Sequence, residues 1–261
     1  MEIDRITPTQ RPQDRVVMRQ KWKNLLFLHW QVDPDALRAL VPAELDLDLF
    51  EGQAYVGLVP FTMTGVRPVW SPPIKPISDF HETNVRTYVH LKGEAPGVWF
   101  FSLDAASSLA VRIARTVWHL PYFRAQMTMR PYPAGANDTV QYDSQRLWPE
   151  PKEARVQVNY TPCGAPSPAT PGTLEHFLAE RYLLYARRNG SFYRGQVHHV
   201  PYPLQSAKVH KLEETMLAAA GVFKLHHDNE PLVHYASEVD VLIYQLHRLS
   251  LAAERNGENH S

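Results

Sequence analysis

The chain has 261 residues, 44% of them hydrophobic, which suffices for one core near the upper size of a single β-rich domain. Basic and acidic side chains both number 27, so the formal net charge is zero. No basic stripe or polybasic patch is present, which argues against nucleic-acid and membrane partners. The single cysteine, Cys163, precludes an intramolecular disulfide, and the polar N-terminus lacks a secretory leader. We therefore expect a soluble, cytoplasmic protein.

The first third of the chain predicts a helix, a strand and a loop. Residues Asp33–Val41 have the start signals of a short helix, with Asp33 as the cap and Pro34 at the first helical position. A strand is predicted over Ala54–Thr64 from its β-branched and aromatic residues. The proline-rich segment Gly65–Ser78 predicts an extended loop, which either covers a pocket or is a plain connection.

The next segment, Thr83–Leu91, alternates with period two and predicts a half-buried strand. Its valines lie on one face, and Asn84 and Arg86 lie on the other, in line with Glu82. Two interpretations fit this pattern. The polar face either lines the interior of a barrel, with Arg86 as a fork for a carboxylate, or it is solvated over a core built by the valines.

Helical spacing appears in two places. Residues Ala105–His119 place Leu109, Ile113 and Val117 on one apolar stripe, which indicates a helix. Residues Leu174–Arg188 have a similar stripe and a C-terminal stop at Asn189-Gly190, and they predict one continuous helix. Arginines on such helices, here Arg115 and Arg181, are more often solvated or paired than functional.

Several further runs resemble strands and complete an α+β, mainly antiparallel pattern, for which a closed barrel is an economical arrangement. The predicted strands cover residues Val98–Leu103, Tyr122–Arg130, Thr139–Leu147, Ala154–Thr161, Ser191–Val200, Leu204–Lys211 and Val233–Leu246. Residues Thr161–Gly172 have loop chemistry throughout. We expect one domain over residues 1–253 and a disordered tail over residues 254–261.

Motifs for metals and common cofactors fail on spacing. His81-Glu82 resembles the start of a zinc-protease helix, but the second histidine would fall at position 85, which is valine. The pairs His198-His199 and His226-His227 would point to opposite faces of a strand. No phosphate-binding glycine loop, dinucleotide fingerprint or nucleophile elbow occurs. We therefore predict no metal site and no cofactor.

Three stretches, in order, resemble acetoacetate decarboxylase-like proteins, and the YqjF-like branch of that superfamily above all. They are Gln31–Leu45, Phe80–Val89 and Arg115–Phe123. With supporting matches at Gly97–Ala105 and Phe177–Tyr185, the resemblance spans roughly residues 18 to 248. It implies a cone-shaped β-barrel with a few flanking helices and a central pocket, and it places Glu82 at the family's active-site glutamate.

The chain departs from the decarboxylases at their catalytic lysines. Those enzymes form a Schiff base through a lysine that follows a proline, with a second lysine beside it. The resemblance places Tyr122 and Phe123 at these positions, and neither side chain forms an imine. Lys208 is a substitute in principle, with nothing nearby that argues for it. His119 and Tyr122, which flank the proline, either line the same cavity or pack at the end of the helix.

Three functions stay open at this stage. The first is a pocket for a small carboxylate or carbonyl compound, with Glu82 as a catalytic acid or base and Asn84, Arg86, His119 and Tyr122 as ligand-binding residues. The second is a non-catalytic binding or sensing protein on the same scaffold. The third is an interaction protein whose barrel is filled with side chains. Fold alone does not choose among them, and assembly into a homo-oligomer also stays open.

Overall fold

A computed structural model of the chain describes residues 3–75, 77–131, 139–149, 153–222 and 230–250. Strands dominate these residues: β1 (Val16–Val32), β2 (Asp46–Leu47), β3 (Ala54–Pro68), β4 (Phe80–Leu91), β5 (Glu94–Ala105), β6 (Tyr122–Pro131), β7 (Val140–Trp148), β8 (Arg155–Ser167), β9 (Leu183–Arg188), β10 (Ser191–His198), β11 (Leu204–Glu214), β12 (Leu232–Tyr244) and β13 (His247–Leu249). The helices are short: α1 (Pro34–Arg38), α2 (Ser108–Ile113), α3 (Leu174–Ala179) and α4 (Met216–Ala219). A 3-10 turn covers Thr7–Thr9, and a π-helical segment covers Ala114–Trp118.

The strands form one sheet that closes on itself twice. A larger ring runs β5-β6-β7-β8-β11-β12-β1-β3-β4 and returns to β5. A smaller ring runs β10-β9-β5-β4-β3-β1-β12 and returns to β10. Among the described strands, β5 pairs in parallel with β6 and β9, and the other pairings are antiparallel. The predicted mainly antiparallel α+β class is confirmed, with a ring-like sheet rather than a strict barrel.

Residues 25–30 of β1 and residues 82–89 of β4 have both faces buried, since these strands belong to both rings and successive side chains point into different rings. On β1, Leu26 and Leu28 pack into the core of the larger ring, while Leu25 and Phe27 face the smaller one. The interior of the larger ring is filled with side chains, among them Tyr142 of β7. The smaller ring holds a cavity.

The local signals at the first helix are confirmed in detail. The Asp33 carboxylate accepts backbone N–H groups of Asp35 and Ala36 at 2.9 and 3.4 Å, which satisfies donors that the first helical turn leaves free. Pro34 is the first residue of α1, where its missing N–H is of no consequence. Short-range chemistry is sufficient to start this helix.

The predicted helix over Leu174–Arg188 is wrong in its second half. The helix ends at Ala179, and residues Leu183–Arg188 form β9, which pairs with β10 and β5. Glu180 leaves the helical region with φ −83° and ψ 77°. The apolar residues in this stretch suit either period, and pairing between two neighbouring strands overrides the helical preference.

Other boundaries also differ from the predictions. Strand β1 was not predicted. Strand β3 extends to Pro68 and β8 extends to Ser167, because β1 and β11 continue to pair with them over the segments predicted as loops. Helix α2 begins at Ser108 rather than Ala105, since Ala105 still pairs within the sheet. The predicted disordered tail and the pair His226-His227 lie outside the described residues. No helix in the described part of the chain is long and apolar enough to cross a bilayer.

Candidate functional site

A cavity of about 810 Å³ occupies the smaller ring and opens beside α2 and the loop that follows β3. The structure places all five predicted site residues along its wall: Glu82, Asn84, Arg86, His119 and Tyr122. The polar face of β4 therefore points inward, with Glu82, Asn84 and Arg86 only 2%, 5% and 8% exposed. The interpretation in which this face is solvated is wrong, because β4 lies between two ring interiors and has no solvent side.

A buried hydrogen bond on the cavity wall joins Glu82 and Tyr122. The Tyr122 hydroxyl donates a hydrogen bond to Oε2 of Glu82 at 2.7 Å, and both side chains are buried. Burial raises the pKa of Glu82 to about 8; the Tyr122 hydrogen bond opposes this rise, and the nearby Asp104 carboxylate adds to it. Burial, and then the charge of Glu82, raise the pKa of Tyr122 well above its usual range. At neutral pH, Glu82 is mostly a protonated acid that can donate a proton.

Two buried polar groups beside this pair have atoms without partners in the described structure. Arg86 donates from Nη2 to the Leu178 carbonyl at 3.1 Å, but its Nε has no hydrogen-bond partner among the described residues. Within the same set, Oδ1 of Asn84 is also unpartnered. Buried polar atoms normally have partners, so these two have unused capacity for a ligand. The Arg86 guanidinium also lies 5.7 Å from the centroid of the Phe27 ring.

His119 lies at the outer end of the cavity, directly after the π-helical segment. Its Nδ1 accepts a hydrogen bond from Nη1 of Arg188 at 2.9 Å, and its ring packs edge-on against Tyr193 at 4.7 Å. Partial burial, and then the charge of Arg188, lower the pKa of His119. His119 is thus held at the cavity wall by Arg188 and Tyr193 rather than by the Glu82–Tyr122 pair.

Tyr122 and Phe123 stand at the positions of the decarboxylase lysines, and as neighbours on β6 they point to opposite faces of the sheet. Tyr122 faces the cavity, whereas Phe123 packs under the guanidinium of Arg146, which lies 3.7 Å from the Phe123 ring centroid. The described residues that line the cavity include no lysine, and Lys208 is exposed on β11. The described wall therefore offers no amine for an imine, in agreement with the departure seen in the sequence.

Sequence reasoning missed supports that come from distant segments. Exposed Arg115 donates to the backbone carbonyl of Tyr122 at 2.6 Å and so anchors the start of β6. Buried Arg181 lines the cavity and donates from Nη1 to Asp48 at 2.6 Å, while its Nη2 has no hydrogen-bond partner among the described residues. The apolar wall supplied by β1 was also missed. Its signal was the apolar run over residues 24–29, in which both faces are hydrophobic.

The arrangement of the sheet defines an acetoacetate decarboxylase-like fold. The chain superposes with a TM-score of 0.62 on the enduracididine biosynthesis enzyme MppR, covering 93% of this chain and 91% of that one at 13% identity. It superposes with a TM-score of 0.61 on an acetoacetate decarboxylase-like enzyme from Sphingomonas wittichii RW1, covering 90% and 94% at 15% identity. At such identities the likeness concerns the fold alone.

The chain belongs to the DUF2071 family, whose model carries the description "Uncharacterized conserved protein" and matches residues 19–240. It is 42% identical over 234 residues to the "Uncharacterized protein YqjF" of Bacillus subtilis (strain 168). That match covers 90% of this chain and 93% of the relative. The resemblance to the YqjF-like branch is therefore confirmed.

Proposed function

We propose that the protein binds a small carbonyl or carboxyl compound in this cavity and that Glu82 exchanges a proton with it. The observation that carries the proposal is the buried Glu82 carboxyl, with a pKa near 8, facing the cavity and hydrogen-bonded to Tyr122. An acid or base works best when its pKa lies near the working pH. A carboxyl group with this pKa holds and releases a proton in the neutral range.

The neighbouring groups suit a ligand of this class. Tyr122 occupies Oε2 of Glu82, which leaves Oε1 to donate its proton to a ligand carbonyl oxygen. Arg86 offers its unpartnered Nε to a carboxylate, and with Glu82 neutral its charge is not cancelled inside the site. Asn84 can donate from its amide Nδ2 to either group, while its unpartnered Oδ1 can accept a hydrogen bond from a protonated carboxyl or hydroxyl group. Chemistry at this site proceeds without an imine, since the described wall has no lysine.

A second candidate, binding or sensing without catalysis, is favoured by the unpartnered atoms of Asn84 and Arg86 alone. These atoms gain hydrogen bonds from a ligand whether or not a proton moves. The third candidate, a solid barrel, describes the larger ring but not the smaller one, which holds the cavity.

Hydrogen–deuterium exchange at the carbon next to the ligand carbonyl tests the proposal. The proton that Glu82 donates to the carbonyl oxygen acidifies the neighbouring C–H bond, and solvent removes that hydrogen to leave the enol. Return of the enol to the carbonyl form takes up deuterium from D2O at carbon and gives the oxygen-bound proton back to Glu82. Keto acids and other carbonyl acids that raise the melting temperature are incubated in D2O with the wild type and with Glu82→Gln, and exchange is followed by NMR. General acid–base catalysis contributes roughly 10²–10⁴-fold, so Glu82→Gln should slow exchange at least a hundredfold while keeping the thermal shift.

The matched control is Glu180→Gln. Glu180 is also buried, has a raised pKa through burial and accepts a hydrogen bond from the hydroxyl of a tyrosine, Tyr182, at 2.6 Å, but it does not line the cavity. The Glu180→Gln variant should exchange ligand protons at the wild-type rate. Thermal shifts without any exchange would support the binding protein, and exchange that survives Glu82→Gln would refute the role of Glu82.

A further inference from the structure

The cavity wall is mostly apolar and carries a row of buried polar groups on β4. Three of these groups, Glu82, Asn84 and Arg86, follow one another along one face of β4, and Arg181 also lines the cavity. The neighbouring strands β1 and β3 contribute mostly apolar side chains to the wall, Phe27 and Phe61 among them. A ligand that fills the space therefore contacts hydrogen-bonding groups along β4 and hydrocarbon over most of its remaining surface.

The apolar lining continues outward to an exposed rim. Leu109, Ile113 and Val117, one helical turn apart, line the cavity and are 47%, 45% and 57% exposed. The apolar stripe of this helical segment faces the opening of the cavity. From the loop after β3, Ile74 and Ile77 also line the cavity, at 57% and 46% exposed. Scattered exposed apolar residues are ordinary, but a set that surrounds one opening indicates a binding surface.

The volume exceeds the needs of a small keto acid. A cavity of about 810 Å³ is of the size that takes drug-sized ligands. An acid of a few carbon atoms at Glu82 and Arg86 would leave most of this volume as water against apolar walls, where water lacks hydrogen-bond partners. The rim would also stay exposed.

We propose that the ligand is amphipathic, with its carbonyl or carboxyl end at Glu82, Asn84 and Arg86 and a larger apolar chain or ring system that extends to the Leu109–Val117 rim. This inference rests on the proposed function and specifies its ligand class. The apolar body contacts the walls of β1 and β3 along the way, and the rim residues cover its outer end.

Affinities for a homologous series test the apolar body. Straight-chain carboxylates from butanoate to tetradecanoate, each below its micelle concentration, are titrated calorimetrically, alongside aryl-alkyl acids of equal apolar area. Each buried methylene should tighten binding by about fourfold, until the chain reaches the rim and the affinity levels off. Tighter binding of the aryl acids would identify a ring system, and tighter binding of the linear acids a chain.

A pair of identical substitutions tests the rim. Val117→Ser removes apolar surface at the opening, and Val200→Ser makes the same change at a residue that is 65% exposed and does not line the cavity. We expect Val117→Ser to weaken the longest bound acid by roughly threefold to tenfold and to leave butanoate unaffected. Val200→Ser should change neither affinity.

The outcomes separate this inference from the proposed function. Equal affinity along the series would overturn the amphipathic ligand, while exchange that depends on Glu82 would still support the proposed function. Straight-chain alcohols of the same lengths serve as ligands without a carboxyl group. If their affinities rise with chain length as those of the acids do, and Glu82→Gln and Arg86→Met change neither series, the apolar body is supported and the polar end is refuted. If Val117→Ser altered self-association rather than affinity, the rim would be a subunit interface and the inference would be overturned.

Discussion

The raised pKa of Glu82 makes the stability of the protein depend on pH in a direction that can be measured. In the unfolded chain the carboxyl has its ordinary pKa of 4.5, and in the folded protein the value is about 8. The unfolded state therefore loses this proton first as the pH rises. The contribution of Glu82 to the free energy of unfolding is therefore largest below pH 4.5. It decreases as the pH rises and levels off above pH 8.

The size of the effect follows from the two pKa values. Each pKa unit corresponds to about 1.4 kcal/mol, so the full loss is roughly 5 kcal/mol, of which roughly 3–4 kcal/mol develops between pH 5 and pH 8. Glu82→Gln keeps the shape of the side chain and its acceptor for Tyr122 but does not titrate. The variant should therefore match the wild type near pH 5 and exceed it by roughly 3–4 kcal/mol at pH 8.

Urea unfolding of both proteins from pH 5 to pH 9 measures this difference directly. Thermal unfolding should show a gap of roughly 10 °C at pH 8, since each kcal/mol shifts the melting temperature of a chain of this size by about 2–4 °C. Glu94→Gln is the control, because this side chain is exposed at the start of β5 and stays in water on unfolding. If the difference in free energy of unfolding between the wild type and Glu82→Gln does not change with pH, the reasoning is refuted.

Three further substitutions test the surroundings of the site. Tyr122→Phe removes the hydrogen bond that holds the pKa of Glu82 down, so carboxyl-carbon NMR should show that pKa rising further, and a fall would contradict the assignment. Asp104→Asn removes the carboxylate that accepts two hydrogen bonds from buried Arg146 at 2.7 and 2.8 Å, and urea unfolding should show a loss of roughly 3–5 kcal/mol. Gly97→Ala places a methyl group 2.6 Å from a backbone carbonyl of β9, so it should destabilise the protein by roughly 1–3 kcal/mol or more, and a neutral result would contradict the close packing of β5 on β9.

Much of the candidate site was predictable because strand alternation is a local property. The period-two pattern of β4 places Glu82, Asn84 and Arg86 on one face in any strand-forming context. The resemblance to the decarboxylases then placed Tyr122 near them, at the position of a missing lysine. Their roles as catalytic and ligand-binding residues, with that of His119, stay predictions.

The orientation of that face was not predictable from the pattern. An inward polar face and a solvated one have the same sequence period, and they differ only in what packs on each side of β4. The answer came from β4 belonging to two rings at once, with Val85 in the filled ring and Asn84 in the ring with the cavity. Such shared strands depend on pairings between residues far apart in the chain.

The sequence by itself determined the family membership, which rests on a match over most of the chain, and several features encoded over a few residues. These local features are the cap of α1, the alternation of β4 and the absence of an imine-forming lysine after Pro121. Only the tertiary structure decided that Leu183–Arg188 is a strand and that the stripe Leu109–Val117 faces an opening. In both segments, apolar residues are compatible with more than one period or partner. The choice among these is made by the elements that the rest of the chain places beside them.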